Sequence, residues 1–131
     1  MLLGAHVSIA GGFANAPKAG KYIGCEAIQI FSRSPRMLRK TKPIMQEEVD
    51  AFWKGMRAAE IHAVAIHGNY LINLSAAKAR MLKVARQAFF EEIDRAHILR
   101  VPYVIFHPGA HMGKGEAKAL QSIAESIDWA M

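Results

Sequence analysis

The sequence predicts an α/β fold of four consecutive βα units, a parallel sheet with its helices packed outside. Short apolar runs alternate four times with longer stretches whose apolar residues recur at three- and four-residue spacings. Right-handed crossovers place consecutive strands of such a string in one parallel sheet. His6, Ser32, His67 and His107 each follow an apolar run, and functional residues of parallel sheets gather at the carboxyl ends of the strands.

Leu2–His6 is the first strand, and the Ser8-Ile9-Ala10-Gly11-Gly12 turn leads into an Ala-rich helix over roughly Phe13–Tyr22. Pro17 is tolerable there if it lies in the first turn, where its missing N–H costs nothing. Ala27–Phe31 is the second strand. Gln46–Ala59 reads as an amphipathic helix, with Val49, Phe52, Trp53 and Met56 on one face and the acids Glu47, Glu48 and Asp50 at its start. His62–Ile66 is the third strand, and Ser75 is the expected N-cap of a long helix reaching about Leu99. The apolar face of that helix includes Ala77, Met81, Val84, Ala85, Ala88, Phe89, Ile93 and Ala96. Val101–Phe106 is the fourth strand. Glu116–Met131 then forms a last helix through Ala117, Leu120, Ile123, Ala124 and Ile127. Four units are too few for a closed eight-stranded barrel, and the sequence stops inside a helical pattern, so it reads as half of something.

At 131 residues and 52% hydrophobic, the chain is expected to form a single domain over residues 1–131. No apolar run approaches the roughly 18 residues needed to span a bilayer. Met1-Leu2-Leu3 runs straight into Gly4-Ala5-His6 without a basic leader, so a cytoplasmic protein with no membrane attachment is expected. The lone Cys25 reads as a packing residue. The net charge of +6 is concentrated. Residues 1–46 hold seven cations against the single acid Glu26, whereas the remainder holds 10 basic and 10 acidic residues. Five of the seven cations fall in Arg33–Lys42, a loop-like segment with Pro35 inside it and Pro43 just after it, and cations so placed either track a phosphate backbone or form an ordinary solvated loop.

Ala63-Val64-Ala65-Ile66 ends at His67, and Val104-Ile105-Phe106 ends at His107 before Pro108-Gly109. A strand-end histidine is commonly a hydrogen-bonded structural residue, but two at equivalent positions can converge on one metal, zinc being suited to neutral imidazole. A ligating ring needs its second nitrogen oriented by another group, for which His6 and His111 are candidates. His62 and His97 read as structural. Gly11-Gly12 lacks both the dinucleotide-loop spacing and a Walker lysine, so it reads as a permissive turn. Tyr70, on a Gly-Asn loop, is either a half-buried loop residue or an exposed ring able to stack on a base or wedge into a duplex.

Gly4-Ala5-His6-Val7-Ser8 with Gly11-Gly12, His67-Gly-Asn-Tyr70-Leu-Ile-Asn-Leu74, and Phe106-His107-Pro108-Gly109-Ala110-His111 together resemble the bacterial endonuclease IV family of zinc-dependent apurinic/apyrimidinic endonucleases. The resemblance implies the first half of a (β/α)8 TIM barrel. It also implies a part of an enzyme that uses three zinc ions to hydrolyse the phosphodiester 5′ to abasic sites in duplex DNA. By resemblance His67 and His107 are zinc ligands, Tyr70 inserts into the minor groove, and Arg36 belongs to a DNA-penetrating loop that also holds Arg33 and Ser34. Family members act as monomers.

Ser34 and Leu38 depart from that loop's common asparagine and aromatic, which implies weaker or differently shaped DNA contacts. The family's other ligands, including its carboxylates, would lie beyond Met131, so this chain is expected to supply only two ligands. It is also expected to self-associate through its unpaired edge strands. Two other readings stay open: a metal-dependent sugar isomerase or epimerase-like barrel, and a catalytically silent DNA-binding half-barrel.

Overall fold

The computed structural model describes residues 1–38 and 41–131. Its elements run β1 (Gly4–His6), α1 (Asn15–Tyr22), β2 (Ala27–Phe31), α2 (Gln46–Ala59), β3 (Ala63–His67), α3 (Ala79–Ile98), β4 (Tyr103–Ile105) and α4 (Glu116–Ala130). The four strands form one parallel sheet in the order β1-β2-β3-β4. Among the described residues no helix is long and apolar enough to cross a membrane.

The strands pair in phase. Gly4 lies opposite Ala27, Ala27 opposite Ala63, and Ala65 opposite Tyr103. Because side chains alternate along a strand, Ile28, Ile30, Val64 and Ile66 all point to the helical side and are buried. They meet Ala16 of α1 and Val49, Phe52 and Met56 of α2, joined by Ile61, Ala96, Leu99 and Val101. Each large side chain buried there contributes about 1.5–3 kcal/mol.

The other face of the same strands carries Gly4, His6, Ala27, Gln29, Phe31, Ala63, Ala65, His67, Tyr103 and Ile105. No helix covers it. Tyr103 and Ile105 are 61% and 48% exposed, and β1 and β4 are the outer strands of the sheet.

Helix α2 behaves as its sequence dictates. The Glu48 carboxylate accepts the Met45 N–H at 3.0 Å, satisfying a donor at the helix start. The Trp53 indole N–H donates to the Leu99 carbonyl at 2.7 Å, which ties α2 to the end of α3. Two expectations about the later helices need correction. Ser75 does not cap α3: the helix begins at Ala79 after an extended Lys78, and Ser75 is fully buried with its hydroxyl unpartnered. The segment before α3 first buries Ile72 and Leu74 in a second apolar cluster with Ala85, Ala88 and Phe89, so the chain cannot enter the helix at Ser75. Met81 and Val84 are correspondingly exposed.

In α4 the buried stripe is Ala119, Ser122, Ser126 and Ala130, with Ile123 and Ile127 half-buried, while Leu120 and Ala124 are exposed. Small residues win the stripe because the helix docks closely on the Leu74 carbonyl, which accepts from Ser122 Oγ at 3.0 Å and Ser126 Oγ at 3.4 Å.

A buried ionic cluster joins the end of β2 to α3. The Glu92 carboxylate accepts from Ser32 Oγ at 2.7 Å and from Arg33 Nε at 2.8 Å. Arg33 also donates to Glu91 Oε2 at 2.7 Å and to the Ala88 carbonyl at 2.9 Å. Burial by itself would lower the Arg33 pKa, but hydrogen bonds and attraction from Glu92 and Glu91 outweigh it and hold the guanidinium above its ordinary value. Arg95 bonds the Ser32 hydroxyl and carbonyl, Thr41 Oγ1 and the Lys42 carbonyl. Burial lowers the Arg95 pKa, with Glu92 opposing, and the cation remains charged at neutral pH.

Removing one partner of a buried pair strands the other, at a cost of about 3–5 kcal/mol. Glu92→Ala is therefore expected to lower unfolding stability by that amount in urea titrations. Glu91, whose side chain is 43% exposed, is worth less than about 1 kcal/mol by the same measurement.

Candidate metal and nucleic-acid site

The in-phase register brings the polar strand ends to one rim of the sheet. His6 closes β1 and His67 closes β3, while β4 stops at Ile105, so His107 stands two residues past its strand. The His67 and His107 rings are 5.2 Å apart between centroids, and His6 lies 6.1 Å from His67. Phe31 fills the gap, 4.3 Å from His6 and 5.5 Å from His67. Tyr70 closes the cluster at 5.2 Å from His67 and 6.0 Å from His107.

The backbone fixes one ring nitrogen of His67. Its Nδ1 lies 2.7 Å from the Gly68 carbonyl, a group that only accepts. In the neutral ring Nδ1 therefore holds the proton, and Nε2 keeps a free lone pair. Two imidazoles on one tetrahedral zinc, each nitrogen about 2.0–2.1 Å from the metal, have centroids about 5 Å apart, and the observed His67–His107 spacing fits that requirement. The pair does not complete a site. Among the described residues no group of three or more His, Cys, Asp or Glu side chains could hold a metal ion.

The two candidate orienting histidines behave differently. His6 joins the ring cluster, its Nδ1 held 2.9 Å from Gln29 Oε1. His111 makes no ring contact with the cluster among the described residues, and its Nδ1 accepts the Gly113 N–H within its own turn. Gln29 and Phe31 escaped the sequence reading, although strand alternation puts both on the His67 face.

Asparagines knit the loops of this rim. Asn69 Nδ2 donates to the Ser34 and Met37 carbonyls at 2.8 and 3.0 Å, and the Tyr70 N–H donates to the Pro35 carbonyl. The loop after β2 is thus bound to the loop carrying Tyr70. Asn73 does the same for the loop after β4: its Nδ2 donates to the Ala110 carbonyl, and its Oδ1 accepts the Ser75 N–H. Gly109 sits against it with φ +118°, where an added Cβ would overlap the Asn73 amide.

The basic segment splits into two roles. Arg36 and Ser34 are exposed beside exposed Tyr70. Arg33, expected to contact phosphate, is corrected to a structural residue: its side chain is 2% exposed and its donors are spent on Glu92, Glu91 and Ala88. Arg39 and Lys40 lie outside the described residues.

The sequence profile of the xylose isomerase-like TIM barrel family matches residues 17–131. Among curated relatives, the probable endonuclease 4 of Chloroflexus aggregans is 40% identical over 124 residues, covering 95% of this chain and 43% of that protein. The probable endonuclease 4 of Chlorobium phaeovibrioides is 41% identical over 132 residues, with 98% and 47% covered. The chain thus spans about half the length of the curated relatives it matches. The crystal structure of endonuclease IV from Thermus thermophilus superposes with a TM-score of 0.80 at 29% identity, covering 98% of this chain and 47% of that one. A D-psicose 3-epimerase crystallised in the presence of D-fructose superposes with a TM-score of 0.64 at 11% identity, a likeness of fold alone.

Gly109→Ala forces a side chain into a left-handed conformation and against Asn73. It is expected to cost at least about 1 kcal/mol and to shift the His107 ring resonances in NMR spectra, while the His6 resonances stay in place.

Proposed function

This chain belongs to the xylose isomerase-like TIM barrel family, and we propose that it is the part of an endonuclease IV-type enzyme that grips duplex DNA at an abasic site and contributes His67 and His107 to a zinc cluster. The observation that carries the reading is the His67–His107 pair at 5.2 Å with Tyr70 against both rings, in a chain about 40% identical to probable endonucleases 4.

The residues divide the work. His67, fixed by the Gly68 carbonyl, presents Nε2 to the metal without further ordering. His107 supplies the second nitrogen, and His6, held by Gln29, backs the pair. Zinc, when bound, polarises the phosphodiester and neutralises charge on the departing oxygen. The Tyr70 ring stands exposed next to the ligands, in position to fill space left where a base is missing. Arg36 offers its cation to the phosphate backbone beside it. His67 and His107 are two ligands of the proposed cluster, and among the described residues no third His, Cys, Asp or Glu side chain joins them.

Zinc competition titrations and duplex binding test this reading. The chain is expected to bind zinc weakly, His67→Ala or His107→Ala is expected to weaken that binding at least tenfold, and affinity for abasic duplex is expected to fall steeply with salt. Zinc affinity unchanged in both variants, or duplex affinity indifferent to salt, contradicts the proposal. The uncovered sheet face around Tyr103 and Ile105 further supports self-association of the isolated chain. Sedimentation should then depend on concentration, and a stable monomer across the micromolar range would refute this last point.

A further inference from the structure

Residues 61–90 contain Lys78, Arg80, Lys83 and Arg86 and no acidic residue at all. The structure sets these cations apart from one another. Arg86 is engaged, its Nε bonded to Ser126 Oγ at 2.9 Å and its Nη2 3.7 Å from Glu125. Lys78, Arg80 and Lys83 are exposed, and among the described residues none of the three makes an ion pair. Helix α3 begins after the carboxyl end of β3, and its residues Ala88–Arg95 are the ones bonded to the end of β2, so these three cations lie at the same end of the sheet as His67, further out than the strand ends. They adjoin the basic loop after β2: Leu38 of that loop and Ala79, Leu82 and Lys83 of α3 line one groove of about 600 Å³. The loop itself is held against α3 through Arg33, Glu91 and Glu92.

We infer that Lys78, Arg80 and Lys83 form a second phosphate-contacting surface, continuous with the Arg36 loop, which extends the footprint of a bound duplex away from the histidine cluster. The inference rests on the duplex-binding reading given above. The acid that lines this groove, Glu91, is already paired with Arg33, so intramolecular bonding explains these surface cations poorly, and each neutralised phosphate releases counterion, which strengthens attachment without reading sequence. The surface therefore acts equally on intact and abasic duplex and supplies grip, while Tyr70 and the histidines supply discrimination.

The test compares salt slopes of duplex affinity for the 131-residue chain and its variants. Each phosphate contact contributes about 0.9 to the slope of log affinity against log salt. The triple variant Lys78→Gln, Arg80→Gln, Lys83→Gln is expected to lower the slope by about 2–3, so that affinity at about 0.1 M salt falls on the order of 100-fold and the two proteins converge near roughly 1 M. The charge-preserving variant Lys78→Arg, Arg80→Lys, Lys83→Arg is expected to restore the slope, which separates charge from packing. A triple variant whose slope matches the parent chain, while Arg36→Gln lowers it, overturns this inference alone. A parent chain without salt-dependent duplex affinity overturns the DNA reading and this inference with it.

Discussion

The in-phase pairing of four parallel strands is the constraint on which the rest depends. With Gly4, Ala27 and Ala63 aligned across the sheet, every strand turns the same parity of residue toward the helices. Ile28, Ile30, Val64 and Ile66 become the core. The opposite parity delivers His6, Gln29, Phe31 and His67 to one surface with no further instruction. A shift of one residue in any strand would exchange the two sets and put isoleucines where the histidines stand.

The second requirement is to hold a strongly basic loop on such a frame. Cations crowded into one segment repel each other, and the fold resolves this by withdrawing some of them. Glu92, buried in α3, takes Arg33 and Ser32, and Arg95 fastens the Thr41 and Lys42 end of the loop. The internal ionic cluster thereby anchors the loop and leaves Arg36 facing solvent. Composition alone could not separate anchoring from exposed cations, because the deciding acid lies 59 residues from Arg33 in sequence.

Legibility followed the range of the forces involved. Strand Ala27–Phe31 and helix Gln46–Ala59 coincide with their sequence expectations, since alternation and an amphipathic stripe are local signals. The family resemblance likewise agrees with the family profile and with the relatives. His67 ends β3 as expected, but it pairs in register with Ile105 and His107 lies two residues beyond β4, so the 5.2 Å ring spacing and the Gly68 carbonyl behind His67 come from the structure alone. The misreadings are of another kind. Ser75 looked like a cap, but burial of Ile72 and Leu74 delayed the helix, and Leu120 looked like core until serine hydroxyls claimed the contact with the Leu74 carbonyl. Tertiary contacts decided each of these, and no local pattern encodes them.

Asn73 joins the segment that leaves β3 to the one that leaves β4, and the Leu74 N–H reinforces it by donating to the Pro108 carbonyl. The loop that follows His67 and the loop that carries His107 thereby form a single cooperative unit of local unfolding. An opening of one segment therefore disturbs the ring carried by the other, so the His67–His107 spacing is lost and regained in one step. The entropic cost of bringing the two rings to this spacing falls on folding.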